Sequence, residues 1–205
     1  MSSDTVSDKY VLLERILRKY TEDFAQKNVA AGVLMRGLSL VGVGMRPLLD
    51  HFVFRTLHPK ERAQEFLELG YEKDPETDVF CGKAHETEVY RNGCAPSVLI
   101  QHSTEKADQE WVKRFGDQAP FVLAVRVEDI DEAAFRLEKQ AVAFLRPSAG
   151  KKGDSLRQIA AMPTADQGLP HNYLTLVERH RGDRRFYLPG PCEQSSATGV
   201  GVKTE

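Results

Sequence analysis

Two stretches decide the fold: Asp50-His51-Phe52-Val53-Phe54-Arg55 and, about seventy residues later, Phe121-Val122-Leu123-Ala124-Val125-Arg126. Both are short, rich in β-branched, aromatic and other apolar residues, and have a proline close by (Pro47, Pro59 and Pro120), so each predicts a strand. The chain continues in the same way after both. After the first, Pro59 suits the opening turn of a helix, Ala63, Phe66 and Leu67 give that helix an apolar face, and Gly70 stops it. Residues 79–83, 86–91 and 97–103 then predict three strands, with Asn92-Gly93 as a tight turn between two of them. After the second, the Glu128-Asp129-Ile130-Asp131 run caps a helix reaching about residue 141, and residues 142–145, 156–162 and 172–179 predict three more strands. Residues 151–154 and 165–170 read as loops. The order β-α-β-β-β therefore occurs twice.

A repeat of this kind sets the whole architecture. The expected fold class is α+β, with two βαβββ modules forming a shared curved-sheet cleft, preceded by N-terminal helices. The expected divisions are residues 1–46 for the helical segment, 47–103 for the first module, 104–118 for a linker helix, 119–190 for the second module and 191–205 for a disordered tail. In the linker helix Trp111, Val112 and Phe115 bury one face. In the N-terminal segment Tyr10, Leu13, Leu17 and Phe24 recur at helical steps over residues 8–28, and residues 30–45 predict a second short helix and a glycine turn. Gly42-Val43-Gly44 lacks the following lysine of a phosphate loop and reads as that turn.

Composition narrows the partners. The 205 residues are 41% hydrophobic and 28% charged, the balance of a globular protein. A net charge of −2 without a basic stripe argues against a nucleic-acid partner. No apolar run is long enough to span a bilayer, so no membrane role is expected. The polar, acidic start lacks the pattern of a secretory signal, and the three cysteines, Cys81, Cys94 and Cys192, make no Cys-x-x-Cys. Free thiols and a cytoplasmic location are expected.

The repeat, together with the Asp50–Arg55 stretch and Val127-Glu128-Asp129-Ile130-Asp131-Glu132-Ala133-Ala134, resembles the vicinal oxygen chelate superfamily, which includes glyoxalase I, extradiol dioxygenases and bleomycin-resistance proteins. The first half is most similar to the 2-oxoadipate dioxygenase/decarboxylase-like branch, through His51, Arg55-Thr56 and a helix ending near Leu69-Gly70-Tyr71. The resemblance covers about 140 residues. It implies a cleft in which metal ligands come from the first and last strands of each module. Those places here are His51, Gln101, Val122 and Glu178. The implied metal set is His51, Gln101 and Glu178, while Val122, where many metal-dependent relatives carry histidine, is apolar.

A 2-His-1-carboxylate face holds a non-haem iron with open positions for oxygen and substrate. His51, Gln101 and Glu178 approximate such a face, and a bulge or one-residue shift would bring His102 into the cleft instead of Gln101. Arg55 lies four residues after His51 on the same strand face and could grip a substrate carboxylate. The leading expectation is thus a metal-dependent enzyme acting on a small carbonyl or 2-oxo-acid substrate, as a dioxygenase/decarboxylase or a lyase/isomerase. Its cofactor would be a divalent metal, Fe(II) first, with Zn, Ni or Mn as alternatives. The partner is a small-molecule substrate, and a homodimer is a further expectation from the superfamily. Two other readings stand beside it. One is a metal-free small-molecule-binding protein on the same fold, which Val122 suits. The other is an assembly module docking through its N-terminal helices.

Overall fold

The computed structural model describes residues 3–40, 42, 48–77, 79–80, 85–93, 95–166 and 169–188. The expected tail at 191–205, the three cysteines and most of the glycine turn lie outside those residues. The chain opens with α1 (Ser3–Lys27) and α2 (Val29–Leu40). Leu13, Leu17 and Phe24 bury one face of α1, as their spacing predicts, whereas Tyr10 is half exposed.

The first module is β1 (Leu49–Arg55), α3 (Pro59–Glu68), β2 (Glu72–Asp74), β3 (Val79–Phe80), β4 (His85–Asn92) and β5 (Ala95–Ser103). A connecting helix, α4 (Lys106–Phe115), leads to the second module: β6 (Val122–Arg126), α5 (Ile130–Glu138), β7 (Leu156–Ala160), β8 (Thr164–Asp166) and β9 (Leu169–Arg179). A last short strand, β10 (Phe186–Tyr187), follows. Pro59 stands in the first turn of α3, and Asp129 accepts hydrogen bonds from the Asp131 and Glu132 amides to cap α5.

One open, mixed sheet carries both modules in the order β2-β4-β5-β1-β6-β9-β7, with β8 also paired to β9. Each module's first strand is parallel to its last: β1 to β5, and β6 to β9. The modules meet where β1 runs antiparallel to β6. Val142–Leu145 of the sequence reading does not form a strand; only Phe144 bridges to Ala161. The expected loop at 165–170 instead carries the end of β8 and the start of β9.

Alternation gives the sheet two faces. On the outer face Phe52, Phe54, Ile100, Leu123 and Leu174 pack under α1, α3 and α5. Phe52, Phe54 and Leu123 are fully buried, and each contributes about 1.5–3 kcal/mol by leaving water. On the inner face Val53, Leu99, Val122 and Tyr173 form a second core with Trp111 and Val112 of α4 and with Phe186 and Leu188 near the C-terminus. The inner face is thus covered by α4 at one end and by the chain's last described residues at the other. Gly150 (φ 76°) crosses β7 so closely that a Cβ there would sit 2.3 Å from the Leu156 carbonyl oxygen, which fixes the bridge between Ala149 and Gln158. Among the described residues no helix is long and apolar enough to cross a membrane.

Candidate functional site

The register locates every residue that the sequence singled out. His51 pairs with Ala124 on β6, Ala124 with Thr175 on β9, and Thr175 with Ala160 on β7. These residues share one row of the inner face. Alternation along β9 then puts Thr175 and Val177 on the inner face and Leu174, Leu176 and Glu178 on the outer one.

His51 is completely buried. Asp50 would normally point to the opposite face, but the register shifts between Leu49 and His51, and this bulge brings the two side chains together. His51 Nδ1 lies 2.7 Å from Asp50 Oδ1. Arg179 grips the same carboxylate in bidentate fashion, with Nε and Nη2 donating at 2.8 and 3.0 Å. Burial pushes the Asp50 carboxyl up, but its bonds to His51 and Arg179 outweigh that and hold it well below the usual carboxylate range. Burial is also the largest influence on His51 and lowers its pKa, more than the neighbouring Asp50 restores. The imidazole is therefore neutral near pH 7, with the Nδ1 proton donated to Asp50. Its Nε2 lone pair is left buried and without a hydrogen-bond partner. Thr175 Oγ1 and Gln158 Oε1, on the same face, are also buried without partners.

Gln101 is on the inner face too, but at the other end. It is opposite Arg55 in the β1–β5 register, roughly 13 Å along the strand from the His51 row. Its amide oxygen accepts from Arg55 Nε at 2.9 Å. Arg55 Nη1 is 2.5 Å from Asp108 on α4, and its guanidinium lies 3.8 Å from the Phe121 ring centre. Arg55, expected as a substrate clamp, therefore fastens α4 to the sheet. His102 points to the outer side, where Nδ1 lies 3.3 Å from the Thr56 carbonyl oxygen. His171 is on the inner face under α4, its ring 4.4 Å from that of Phe115.

Glu178 lies on the outer face, on the other side of the sheet from His51 and Gln101. Its Oε2 accepts from the Ile130 amide at 2.9 Å and from Arg157 Nη1 at 3.1 Å, and His180 Nε2 is 2.9 Å from Oε1. Burial raises its pKa, but the Ile130, His180 and Arg157 contacts prevail and lower it. The carboxylate completes the N-terminus of α5 and neutralises a buried arginine. The reason for the difference is periodic: Glu178 is three residues from Thr175, an odd step that turns it through the sheet.

The donors His51, Gln101 and Glu178 are thus separated along β1 or across the sheet, and Val122 is apolar. Among the described residues no three His, Cys, Asp or Glu side chains gather to hold a metal ion. Among the described residues, the donors that the resemblance names do not come together as a set for a divalent metal.

The structure instead gathers arginines beside His51. A groove of about 690 Å³ is lined by Arg91, Arg126, Arg179 and Arg184, with Asp50 and Asp183 as its only acidic residues among the described ones and Ser97 and Phe186 on its walls. Arg91 is bonded to Asp74 and Ser97, and Arg184 to Asp74. Arg126 forms no ion pair among the described residues; its one hydrogen bond is a long contact of 3.4 Å to the Arg179 carbonyl. Arg179 and Arg184 belong to the basic run Arg179-His180-Arg181-Gly182-Asp183-Arg184-Arg185. Arg91 and Arg126 come from distant strands and lie outside that run.

No protein-family model matches the chain, and no curated protein matches it. Solved structures do. A protein from Ralstonia eutropha JMP134 assigned to the glyoxalase superfamily superposes with a TM-score of 0.63 at 10% identity, over 81% of this chain and 82% of its own. A protein from Shewanella frigidimarina NCIMB 400 gives 0.61 at 14% identity, over 85% and 92%. A mutant 4-hydroxymandelate synthase from Streptomyces coelicolor gives 0.52 at 17% identity, over 67% of this chain and 49% of that enzyme. At such identities the likeness concerns the fold. The chain has the vicinal oxygen chelate fold: two βαβββ modules joined through their first strands into one open sheet.

Proposed function

We propose that this protein binds a small anionic molecule, without a metal, in the arginine-lined groove at the His51 end of the inner face. The observation that carries this is the charge of the groove: four arginines line it against Asp50 and Asp183, Asp74 is bonded to Arg91 and Arg184, and Arg126 makes no ion pair among the described residues. A carboxylate or phosphate there gains charge-assisted, directional hydrogen bonds from a cation already in place. The ligand-binding reading of the fold agrees with apolar Val122 and with a Glu178 committed to α5. Metal-dependent chemistry on a 2-oxo acid, in the manner of the 2-oxoadipate branch, rests on the resemblance and on His51 alone.

A second reading is favoured by a specific feature, the unpartnered Nε2 of His51. Asp50 orients the ring so that Nε2 carries the lone pair, while burial lowers the pKa and makes it a weak base. His51 is fully buried against Phe186, so only an anion that displaces that ring could bring an acidic proton to Nε2, with Asp50 and Arg179 orienting the imidazole. The chain is then an enzyme of proton transfer rather than a binder.

Isothermal titration of the full chain with succinate, inorganic phosphate and benzoate tests the first reading. Saturable binding of at least one of them is expected, weakened about tenfold or more in Arg126→Ala. No binding of any of the three, or binding indifferent to Arg126, would overturn it.

A further inference from the structure

The residue at the centre of the site belongs to the chain itself. The ring of Phe186 meets the His51 ring edge to face at 4.8 Å. Arg179 lies 4.7 Å from its centre and Arg91 5.2 Å. Phe186 is 1% exposed. It therefore occupies the point where two of the groove's guanidinium groups and the imidazole converge. Leu188 packs into the same inner-face core.

The backbone around Phe186 is held by the same surroundings. Arg179 Nη1 donates to the carbonyls of Asp183 and Arg185, at 3.2 and 2.6 Å. Arg91 Nη2 donates to the carbonyl of Arg184 at 2.9 Å, and Gln158 Nε2 to that of Tyr187 at 2.5 Å. Three inner-face side chains thus spend their donors on four peptide oxygens of one short segment. Among the described residues the segment's only ladder is a two-residue parallel pairing with β3, a short element for holding a strand in place.

We infer that residues 183–188 occupy a ligand site in cis, and that the molecule displacing them is a planar aromatic anion. The inference rests on the anion-binding reading above. A ring in place of Phe186 keeps the cation–π contacts of Arg91 and Arg179 and the edge contact of His51. An anionic substituent on that ring takes up the donors released by the Arg184 and Arg185 carbonyls, or reaches Arg126 along the groove. A ligand lacking the ring forfeits the first set of contacts, and one lacking the charge forfeits the second. Occupancy in cis lowers apparent affinity by the fraction of time the segment is seated, so removing the Phe186 ring must raise affinity.

The test is titration of the full chain with benzoate, cyclohexanecarboxylate and acetate, using the native protein, Phe186→Ala and Phe186→Leu. Phe186→Ala is expected to bind benzoate at least tenfold more tightly than the native protein. Cyclohexanecarboxylate should gain less, because it offers no π face, and acetate should gain nothing. Phe186→Leu, which keeps apolar bulk, should gain a few-fold and serves as the deciding variant if Phe186→Ala does not fold. The His51 ring-proton NMR signals should shift on adding benzoate to either variant. A folded Phe186→Ala or Phe186→Leu protein with unchanged benzoate affinity would overturn the inference. If Arg126-dependent binding of an anion persists in that case, the groove still stands as an anion site and only the cis occupancy fails. If no anion binds either native or variant protein, both readings fail.

Discussion

The two modules share one topology but use corresponding strands differently. In the first, β1 turns His51 to the inner face, and a bulge brings Asp50 beside it. In the second, the partner strand β6 offers Val122 and Ala124 to that face, both fully buried and apolar. The last strands differ in the same sense. β5 carries Gln101 on the inner face, whereas β9 presents Thr175 there and turns Glu178 outward to α5. On the inner face of the second module Thr175 and Gln158 stand among apolar residues, and the carboxylate of Glu178 is bonded into the scaffold on the other side. The groove draws on both halves, with Asp50, Arg91 and Ser97 from the first and Arg126 and Arg179 from the ends of the second's strands.

The largest expected effect probes the outward carboxylate. Glu178→Ala uncaps the Ile130 amide and leaves the buried Arg157 with the half-exposed Asp131 as its one carboxylate partner among the described residues, so it should destabilise the fold by about 2–3 kcal/mol. Urea unfolding measures this, and a loss under about 0.5 kcal/mol would mean that Glu178 is not a scaffold group. Next comes Arg55→Lys. A lysine lacks the planar fork that spans Gln101 and Asp108 while lying on Phe121, and a cost of about 2 kcal/mol is expected. Unchanged stability with weakened anion binding would return Arg55 to the ligand. Arg126→Ala touches neither module's core. It should leave the melting temperature unchanged and weaken anion binding about tenfold, about 1.4 kcal/mol.

The smallest effect is with pH. His51 has its pKa lowered below the ordinary value of 6.5 by burial, so the unfolded chain binds more protons as pH falls through that value. Stability therefore declines on acidification below about 6.5 and is fully present above it. His171 is shifted the same way, mainly by its own burial, so the slope should be reduced but not abolished in His51→Gln. A melting temperature that rises between pH 7 and pH 5 would reverse the sign and show His51 to be charged in the folded chain.

The fold was legible because its signals are local and occur twice. Pro59 and Gly70 bracket α3, Asp129 caps α5, and the first strand of each module is an apolar run beside a proline. The His51 end was half legible. His51 stands out by type, but its contact with Asp50 depends on a bulge, which neighbouring residues on an alternating strand do not announce. Glu178 was misplaced because Asn172 to Glu178 is buried throughout. A strand covered on both faces has no polar alternation to reveal which residues point inward, and a one-residue difference reverses them all. Phe186 was invisible for another reason. It sits two residues from the end of the described chain, in a basic run with no periodic pattern, and only tertiary contacts show where its ring goes.

The most direct test of a metal-free anion site is elemental analysis after the native chain, His51→Ala and Glu178→Ala have each been offered iron, zinc, nickel and manganese and then dialysed. The account predicts far less than one ion per chain in all three proteins, together with retained Arg126-dependent anion binding in the native chain. About one ion per native chain, lost in both variants, would contradict it and restore a ligand set shared between the modules.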